Sequence, residues 1–439
     1  MKLFAPGIRD VSVTLGARVA AIVPGLAIQS CLAWFLEPSG RGSYAVCMMF
    51  AAILSVAFLF GFDAAAQYFI ASKRFSVSQG VTVWMVLGGL GGLLAVVVGL
   101  LVIRLPIESF RKAPELALTL AVVLAAVQLW STSLLLLLTA VRAFTYCAII
   151  NIVQSILRLG GTVLTIKVMG WGVGGAVAAN IAAAGFVVVL ALIYFRRQFD
   201  LHWVRPTWER LRYMAGYGAR YYLASISNMM NAQIGVLVLF LFASESKIGL
   251  FAAGVALVMN VLMIADAVAG VILPRVASDA AGRPELTAMC ARVVTALCGG
   301  CVLLIAVFAE PIVSVLLSDR FLPAVPIIRI VAIGAVLRSA AKIIVPYLNG
   351  TNHPGVFSIA TLCSTVTNLV LLLVLLPRMG LVGAAWAMTA GSFVGTAILV
   401  YSFARFSGLT LVQTWRPRAE DFAFLLELWR GFRSKTAPR

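Results

Sequence analysis

Charged residues are scarce in this 439-residue chain, where they make up 11% of the sequence while hydrophobic residues make up 62%. The mean hydropathy is +1.03. About a quarter of the residues in a soluble globular protein are charged, so this chain has too few to cover a surface that faces water. The composition therefore excludes a cytosolic enzyme, a secreted disulfide-linked protein and a disordered binding segment.

Acidic residues and histidines are rarer still, with 16 Asp and Glu and 2 His against 34 Lys and Arg. His202 and His353 stand alone, and the 7 cysteines lie in or beside apolar runs, so the sequence predicts no metal site. Patterns of paired carboxylates, nucleophile elbows and phosphate-binding Gly-rich loops with lysine are missing. We therefore predict a protein that is not an enzyme and has no cofactor, with H⁺ or Na⁺ coupling as the remaining option.

Long apolar runs are what the chain has in abundance. A helix crosses the hydrocarbon of a bilayer in about 20 apolar residues, and twelve runs reach that length. The first contains Arg18 and Pro24 and lacks a small-residue cleavage site, so we interpret it as a span and not as a signal peptide. The predicted spans are 13–35, 43–69, 81–103, 116–140, 145–168, 173–195, 217–242, 249–272, 288–308, 324–348, 356–376 and 381–403.

The basic residues divide unevenly among the loops. When Arg292, at the start of the ninth span, is counted with the loop before it, the termini and the loops after even-numbered spans hold 20 of them, the opposite loops hold 7 (Arg41 included), and 7 others lie within spans. Because Lys and Arg accumulate on the cytoplasmic side, both termini are predicted to be cytoplasmic. Most of the net charge of +18 then reflects orientation in the membrane, and no nucleic-acid partner is needed to explain it.

An internal repeat appears at an offset of roughly 200 residues. The segment GVGGAVAA at 172–179 aligns with GLVGAAWA at 380–387, and Gly42 and Gly249 open the second and eighth spans. Each half has six spans and hence the same orientation, an arrangement that places a substrate site between the halves. The sequence therefore predicts an all-α polytopic membrane protein with about twelve transmembrane helices in two pseudo-symmetric six-helix lobes. The predicted units are an N-terminal lobe (1–205), a C-terminal lobe (206–410) and a cytoplasmic amphipathic tail (411–439).

Three segments carry a family resemblance: GRGSYAVCMMFAAILSVAFLFGFDAAAQYFIA, DRFLPAVPIIRIVAIGAVLRS and YLNGTNHPGVFSIATLCSTVTNLVLLLVLLPRMGLVGAAWAMT. Through them the chain resembles the oligosaccharide-lipid and polysaccharide flippases of the multidrug/oligosaccharidyl-lipid/polysaccharide exporter superfamily. The resemblance covers nearly the whole chain. It implies translocation of an undecaprenyl-diphosphate-linked glycan from the inner to the outer leaflet.

Charged residues inside the spans are candidates for function, because each costs at least about 2.5–3.5 kcal/mol to insert. Seven are basic and two acidic, so at least five cations have no intramembrane acid to pair with. Lys167 and Arg329 lie near span ends, where they can snorkel to the interface. The predicted anion-binding residues are Arg158, Arg338, Lys342, Arg18 and Arg220. Asp63 and Asp266 are predicted to act in ion coupling or gating; as an alternative, they pair with Arg18 and Arg220.

Polar residues form a stripe along the fifth span. Their spacing of four, three, four and three residues puts them on one helix face, which must then contact protein or a water-filled cavity. Asn231 lies in the seventh span, which also carries polar residues. We predict that Asn151 and Asn231 contact sugar hydroxyls; the alternative is hydrogen bonding between helices. The stripe consists of Asn151, Ser155, Arg158, Thr162 and Thr165.

The spans, the repeat and the buried cations predict a transporter for an anionic substrate that works by alternating access, and the resemblance implies that it is a flippase for an undecaprenyl-diphosphate-linked oligosaccharide. It would act in the bacterial inner membrane in export of O-antigen or exopolysaccharide. Expected partners are the lipid-linked glycan, the bilayer, a polysaccharide polymerase and other export proteins, and the expected state is a monomer. One alternative is a multidrug cation antiporter of the same superfamily, although such a protein would need acids in its cavity. A membrane glycan polymerase or ligase is a further alternative, although the outer loops are short for one.

Overall fold

The computed structural model consists of α-helices joined by short turns. It describes residues 7–105, 110, 113–199, 202–205, 207–263, 265–266, 284–351, 353–410 and 414, with side chains from residue 23 onward except those of residues 220, 224 and 354. Most of the predicted tail lies outside this part. The helices are α1 (Gly7–Ala57), α2 (Phe62–Ala71), α3 (Val77–Ile103), α4 (Glu115–Ala140), α5 (Phe144–Val163, with a π-helical turn at Leu164–Val168), α6 (Gly172–Phe199), α7 (Trp208–Phe242), α8 (Glu245–Met259), α9 (Pro284–Val307), α10 (Ala309–Leu317), α11 (Val325–Gly350) and α12 (Pro354–Ser407), with a 3₁₀ turn at Asp319–Ala324.

Two of these helices each contain two of the predicted spans. The backbone of α1 leaves the helical region at Glu37, where φ is 57°, because Pro38 lacks an amide hydrogen and disfavours helical geometry at the residue before it. In α12 the backbone leaves the helical region at Gly380, where φ is 60°. Within the described ranges, 9 helices are long and apolar enough to cross a membrane, α1 and α12 among them. The helices thus follow the predicted spans closely.

The second and eighth spans are interrupted where the sequence predicts continuous helices. After α1 ends at Ala57, Phe60 and Gly61 take φ values of 50° and 72°, and the chain restarts as α2. In the other half α8 ends at Met259, and a turn follows at Asn260. The two breaks lie at corresponding places in the two halves of the repeat.

Helix packing separates two groups. In the first half α4 packs on α3 and α6, while α1 packs on α4 and α5. In the second half α11 packs on α9 and α12, and α12 packs on α7. Contacts between the halves are made by α1 with α7 and α8, and by α2 with α7. The second half of α1 is therefore the main bridge between the groups.

At one end of this bridge the two halves touch backbone to backbone. A Cβ atom on Gly42 would lie 1.9 Å from the carbonyl oxygen of Glu245, and one on Gly249 would lie 1.8 Å from that of Pro38. Any residue other than glycine would therefore force the helices apart at this point. An ion pair between Arg320 and Glu37 crosses the same end.

A second contact closes the other end of the bridge. A Cβ atom on Gly61 would lie 2.4 Å from the carbonyl oxygen of Gly218. The hydroxyl of Tyr222 donates a hydrogen bond of 2.8 Å to the carbonyl oxygen of Ala57. The two halves are thus fastened at both ends of the second half of α1, and the cavity described next is lined by residues from both sides of the α1 kink.

Candidate substrate cavity

A cavity of about 480 Å³ lies among α1, α4, α5 and α6, and residues at and just beyond the end of α8 complete its wall. Its polar lining is made mainly of amides and hydroxyls. Arg158 carries the charge among the described lining residues, none of which is acidic. The polar lining residues are Gln29, Gln128, Ser131, Thr132, Asn151, Gln154, Ser155, Arg158, Asn180 and Asn260.

The polar stripe of the fifth span faces this cavity, as its spacing predicts. Asn151, Ser155 and Arg158 all line it. Thr162 is buried, and the Thr165 hydroxyl donates to the Gly161 carbonyl oxygen at 2.8 Å. Three of the five stripe residues are therefore available to a bound molecule.

A hydrogen-bond network centred on Tyr44 fixes the Arg158 side chain. The Arg158 Nη2 atom donates to the Tyr44 hydroxyl at 3.4 Å, and the Asn180 Nδ2 atom donates to the same oxygen at 3.1 Å. Asn180 Nδ2 also donates to the Ala176 carbonyl oxygen at 2.8 Å. The network joins α5 and α6 to the second half of α1.

Arg41 lies behind this wall, which corrects its assignment to an outer loop. Only 4% of its surface is exposed, and its guanidinium stands 5.5 Å from the ring centroid of Tyr44. It also donates a hydrogen bond to Gln29 Oε1. The kink at Glu37 causes the difference, because the chain re-enters a helix at Pro38 and leaves no loop to hold Arg41 outside.

The part of the cavity beyond Arg158 combines donors and acceptors. The hydroxyls of Thr132 and Ser155 donate to the carbonyl oxygens of Gln128 and Asn151, at 2.8 Å and 2.9 Å. Their oxygen lone pairs remain free to accept, while amide groups nearby can donate. This mixture matches sugar hydroxyls, which both donate and accept.

The basic residues predicted in the tenth span are grouped around an acid. Lys342 on α11 forms an ion pair with Asp266, and Arg338, one turn earlier on the same face, lies within reach of the same carboxylate. Lys342 is thus a partner of Asp266 that the sequence alone does not indicate. The alternative pairing with Arg220 stays a prediction, because the Arg220 side chain is outside the described part.

Asp63 and Arg18 lie on helices of the first half. Asp63 is half-buried in the first turn of α2, near Tyr221 of α7. The side chain of Arg18 lies outside the described residues, so its predicted pairing with Asp63 and its predicted role in binding both remain predictions.

Asn231 joins two helices of the second half. Its Nδ2 atom donates to the Ser364 and Thr365 hydroxyl oxygens, each at 3.0 Å. This is the interhelix alternative considered for it, and it sets Asn231 apart from the cavity that Asn151 lines.

A larger cleft of about 610 Å³ lies between α2 and α7. Phe69, Arg212 and Tyr217 contribute to its walls. None of the residues predicted to bind substrate is among its described lining residues. Volume alone would favour this cleft, but the smaller cavity has the chemistry of a binding site.

The fold is one used by membrane transporters. A solved inward-facing structure of a multidrug resistance MATE family transporter of the MOP superfamily has a TM-score of 0.71 at 15% identity, covering 91% of this chain and 98% of that one. The lipid II flippase MurJ in an inward closed conformation has a TM-score of 0.70 at 13% identity, covering 97% and 96%. The predicted fold class, an all-α polytopic membrane protein with two six-helix lobes, is confirmed.

A family model described as polysaccharide biosynthesis protein matches residues 31–326, and the chain belongs to this family. It is also 26% identical over 260 residues to the probable low-salt glycan biosynthesis flippase Agl15 of Haloferax volcanii. That match covers 57% of this chain and 53% of the relative, so the chain spans about half the length of the curated protein it matches. The family is thus that of polysaccharide biosynthesis proteins, and the fold is one shared with solved transporters.

Proposed function

We propose that this protein is a flippase that moves a lipid-linked oligosaccharide across the membrane by alternating access. The observation that carries the proposal is the cavity among membrane-spanning helices, lined by amides and hydroxyls around Arg158. A glycan needs such hydrogen-bonding groups to leave water, whereas the lipid tail needs none because it stays in the bilayer. Rocking of the two halves about their glycine contacts would expose the cavity to each side in turn.

The finer assignment is to a polyprenyl diphosphate carrier, undecaprenyl diphosphate in a bacterial inner membrane. Arginine offers planar, paired donors suited to phosphate oxygens, so we assign Arg158, Arg338 and Lys342 to attract the diphosphate, with Arg18 and Arg220 nearer the mouth. Asn151 would contact the sugar. The relative named as a glycan flippase is archaeal, so the lipid and the cell envelope are to be tested together with the substrate.

The test is transport by the purified full chain in liposomes. A fluorescent short-chain polyprenyl-diphosphate oligosaccharide is placed in both leaflets, and a membrane-impermeant glycosidase in the medium reports how much reaches the outer leaflet. We expect complete cleavage with the protein and about half in protein-free vesicles. Cleavage that stays at half with well-folded protein would overturn the proposal.

The multidrug antiporter alternative is tested in the same vesicles with a cationic dye. A cavity with an arginine and no acid among its described lining residues should repel cations. We therefore expect no dye accumulation under an imposed H⁺ or Na⁺ gradient, and accumulation would favour the antiporter.

Ion coupling is assigned to Asp63 and Asp266. The rate of glycolipid transport should rise when an H⁺ or a Na⁺ gradient is imposed. This increase should be smaller in the variants Asp63→Asn and Asp266→Asn. If neither gradient changes the rate, both residues would be structural, and the flippase would equilibrate its substrate between the leaflets.

A further inference from the structure

Buried Arg41 and half-buried Arg158 converge on one tyrosine, and neither forms an ion pair with an acid among the described residues. The Arg41 guanidinium lies over the Tyr44 ring, and Arg158 donates a hydrogen bond to the Tyr44 hydroxyl. The ion pairs of the described residues lie elsewhere, at Glu37, Glu310 and Asp266. A buried charge without a counterion is strongly unfavourable, so this arrangement favours the binding of an anionic partner that the described residues do not supply.

Donor atoms of both arginines are left without a hydrogen-bond partner. Nε and Nη1 of Arg41 and Nε of Arg158 are buried and unpartnered within the described part of the molecule. Unsatisfied buried donors of this kind are rare in folded proteins. The Nε atom of Arg158, whose side chain lines the cavity, indicates a ligand that accepts hydrogen bonds, and the two neighbouring cations indicate a ligand that carries negative charge.

The neighbouring groups are oriented so that they also donate. Gln29 Oε1 accepts from Arg41, which leaves the Gln29 amide hydrogens free in a side chain that lines the cavity. The Tyr44 oxygen accepts from both Arg158 and Asn180, so its own hydrogen must point to a third group. Asn180 is the exception, since its amide hydrogens are engaged and its Oδ1 atom remains an acceptor.

We propose that Arg158 and Gln29 form an oxyanion site in the cavity, with Tyr44 and Arg41 as positioning residues behind it. The site would take an oxyanion carried by the transported glycolipid, either its diphosphate or the carboxylate of an acidic sugar. The assignment rests on the proposed function for the identity of the carrier, but binding of the oxyanion can be measured without transport.

Arg41 acts through Gln29 and through charge. Its hydrogen bond holds the Gln29 amide with the NH₂ group toward the cavity, and its positive charge adds to that of Arg158. Replacing Arg41 by lysine keeps the charge but removes the planar set of donors, so it separates these two contributions.

The test measures binding of inorganic pyrophosphate and of D-glucuronate to the full chain in lipid nanodiscs by calorimetry. At least one probe should bind saturably to the wild type. Arg158→Gln should weaken binding about tenfold or more, since a charge-assisted hydrogen bond is lost, and Arg41→Gln and Tyr44→Phe should weaken it severalfold. Arg329→Gln is the matched control, because Arg329 is exposed and already paired with Glu310; its affinity should equal that of the wild type.

The two probes distinguish the two sources of the oxyanion. Binding of pyrophosphate that depends on Arg158 assigns the site to the diphosphate, and the same result with glucuronate assigns it to an acidic sugar. The proposal would be overturned if neither probe bound saturably to the wild type, or if Arg158→Gln and Arg41→Gln both bound the probe with the affinity of the wild type. Arg158→Lys, which retains the charge, and a thermal melt of each variant exclude misfolding as the cause of a loss.

Failure of this site and failure of the flippase function give different results. If the wild type binds an oxyanion through Arg158 but moves no glycolipid, the transport proposal fails and the site stands. If the wild type and both arginine variants transport equally, the oxyanion site fails and the transport proposal stands.

Discussion

The two halves of the molecule handle buried positive charge in different ways. In the second half Lys342 forms an ion pair with Asp266, and the same carboxylate interacts electrostatically with Arg338. In the first half Arg41 and Arg158 both contact Tyr44, Arg41 also donates to the Gln29 amide oxygen, and neither pairs with an acid among the described residues. The charge of a cation with an internal counterion is already compensated, whereas Arg41 and Arg158 have no acidic partner among the described residues and are more available to an anionic ligand. The contrast separates Arg158 from Arg338 and Lys342, which the sequence alone places in one class.

The largest effect should come from removing the cation that lines the cavity. Arg158→Gln should lower glycolipid transport about ten- to a hundredfold, because a charge-assisted contact is lost while the fold loses no ion pair. The glycosidase-protection rate measures this. Its thermal stability should equal or exceed that of the wild type, and a variant that melts earlier while transporting normally would reverse the contrast between the halves.

The opposite pattern is expected in the second half. Asp266→Asn leaves Lys342 without its counterion, and we expect a loss of about 1–2 kcal/mol in the free energy of unfolding, reduced from the fully buried case because both side chains are partly exposed. Thermal melts in nanodiscs would measure the change. The double variant Asp266→Asn with Lys342→Gln should recover most of the loss, and no recovery would mean that Asp266 serves another partner.

Removing the hydroxyl at the centre of the network should have a smaller effect. Tyr44→Phe removes the acceptor shared by Arg158 and Asn180. We expect a stability loss of about 1 kcal/mol and a severalfold fall in transport, since the aromatic ring still packs against Arg41. Melting curves and transport rates of the same preparation test both parts; a fall in stability alone would make Tyr44 purely structural.

The smallest effect should follow from a change at an exposed ion pair. Arg329→Gln breaks a contact of 3.2 Å with Glu310, but both side chains are largely exposed. We expect a stability change of less than about 0.5 kcal/mol and normal transport. A large fall in the transport rate of Arg329→Gln would show that total positive charge, and not its position, governs transport.

The arrangement of the spans could be predicted from hydropathy, because every span must bury a long apolar run in lipid. The four-three spacing around Arg158 likewise predicted a face that meets a cavity. The breaks at Phe60 and Asn260 lie inside apolar runs, where hydropathy carries no signal for a turn. The single glycine at position 61, between Phe60 and Phe62, is the weak local sign of the first break.

The pairing of charges could not be predicted, because it depends on which helices touch. Asp266 and Lys342 are 76 residues apart and lie on different helices. Arg41 was placed in a loop because the kink at Glu37 leaves no mark on hydropathy, although Pro38 was a local sign that helix geometry changes there. Predicting such contacts requires knowing how the helices pack, and a sequence repeat indicates only that the two halves have similar folds.

The reciprocal contact of Gly42 and Gly249 has a consequence for how the two halves could diverge. These glycines occupy equivalent places in the repeat, so each meets the backbone beside the other, as in the isologous interface of a twofold-symmetric dimer. In a dimer of identical halves any substitution would appear twice, and every buried cation would acquire a counterion or lose it on both sides together. When the two halves are fused into one chain, a substitution can occur in one half alone. One half can therefore carry Asp266 beside its cations, while the other holds Arg41 and Arg158 for an anionic ligand.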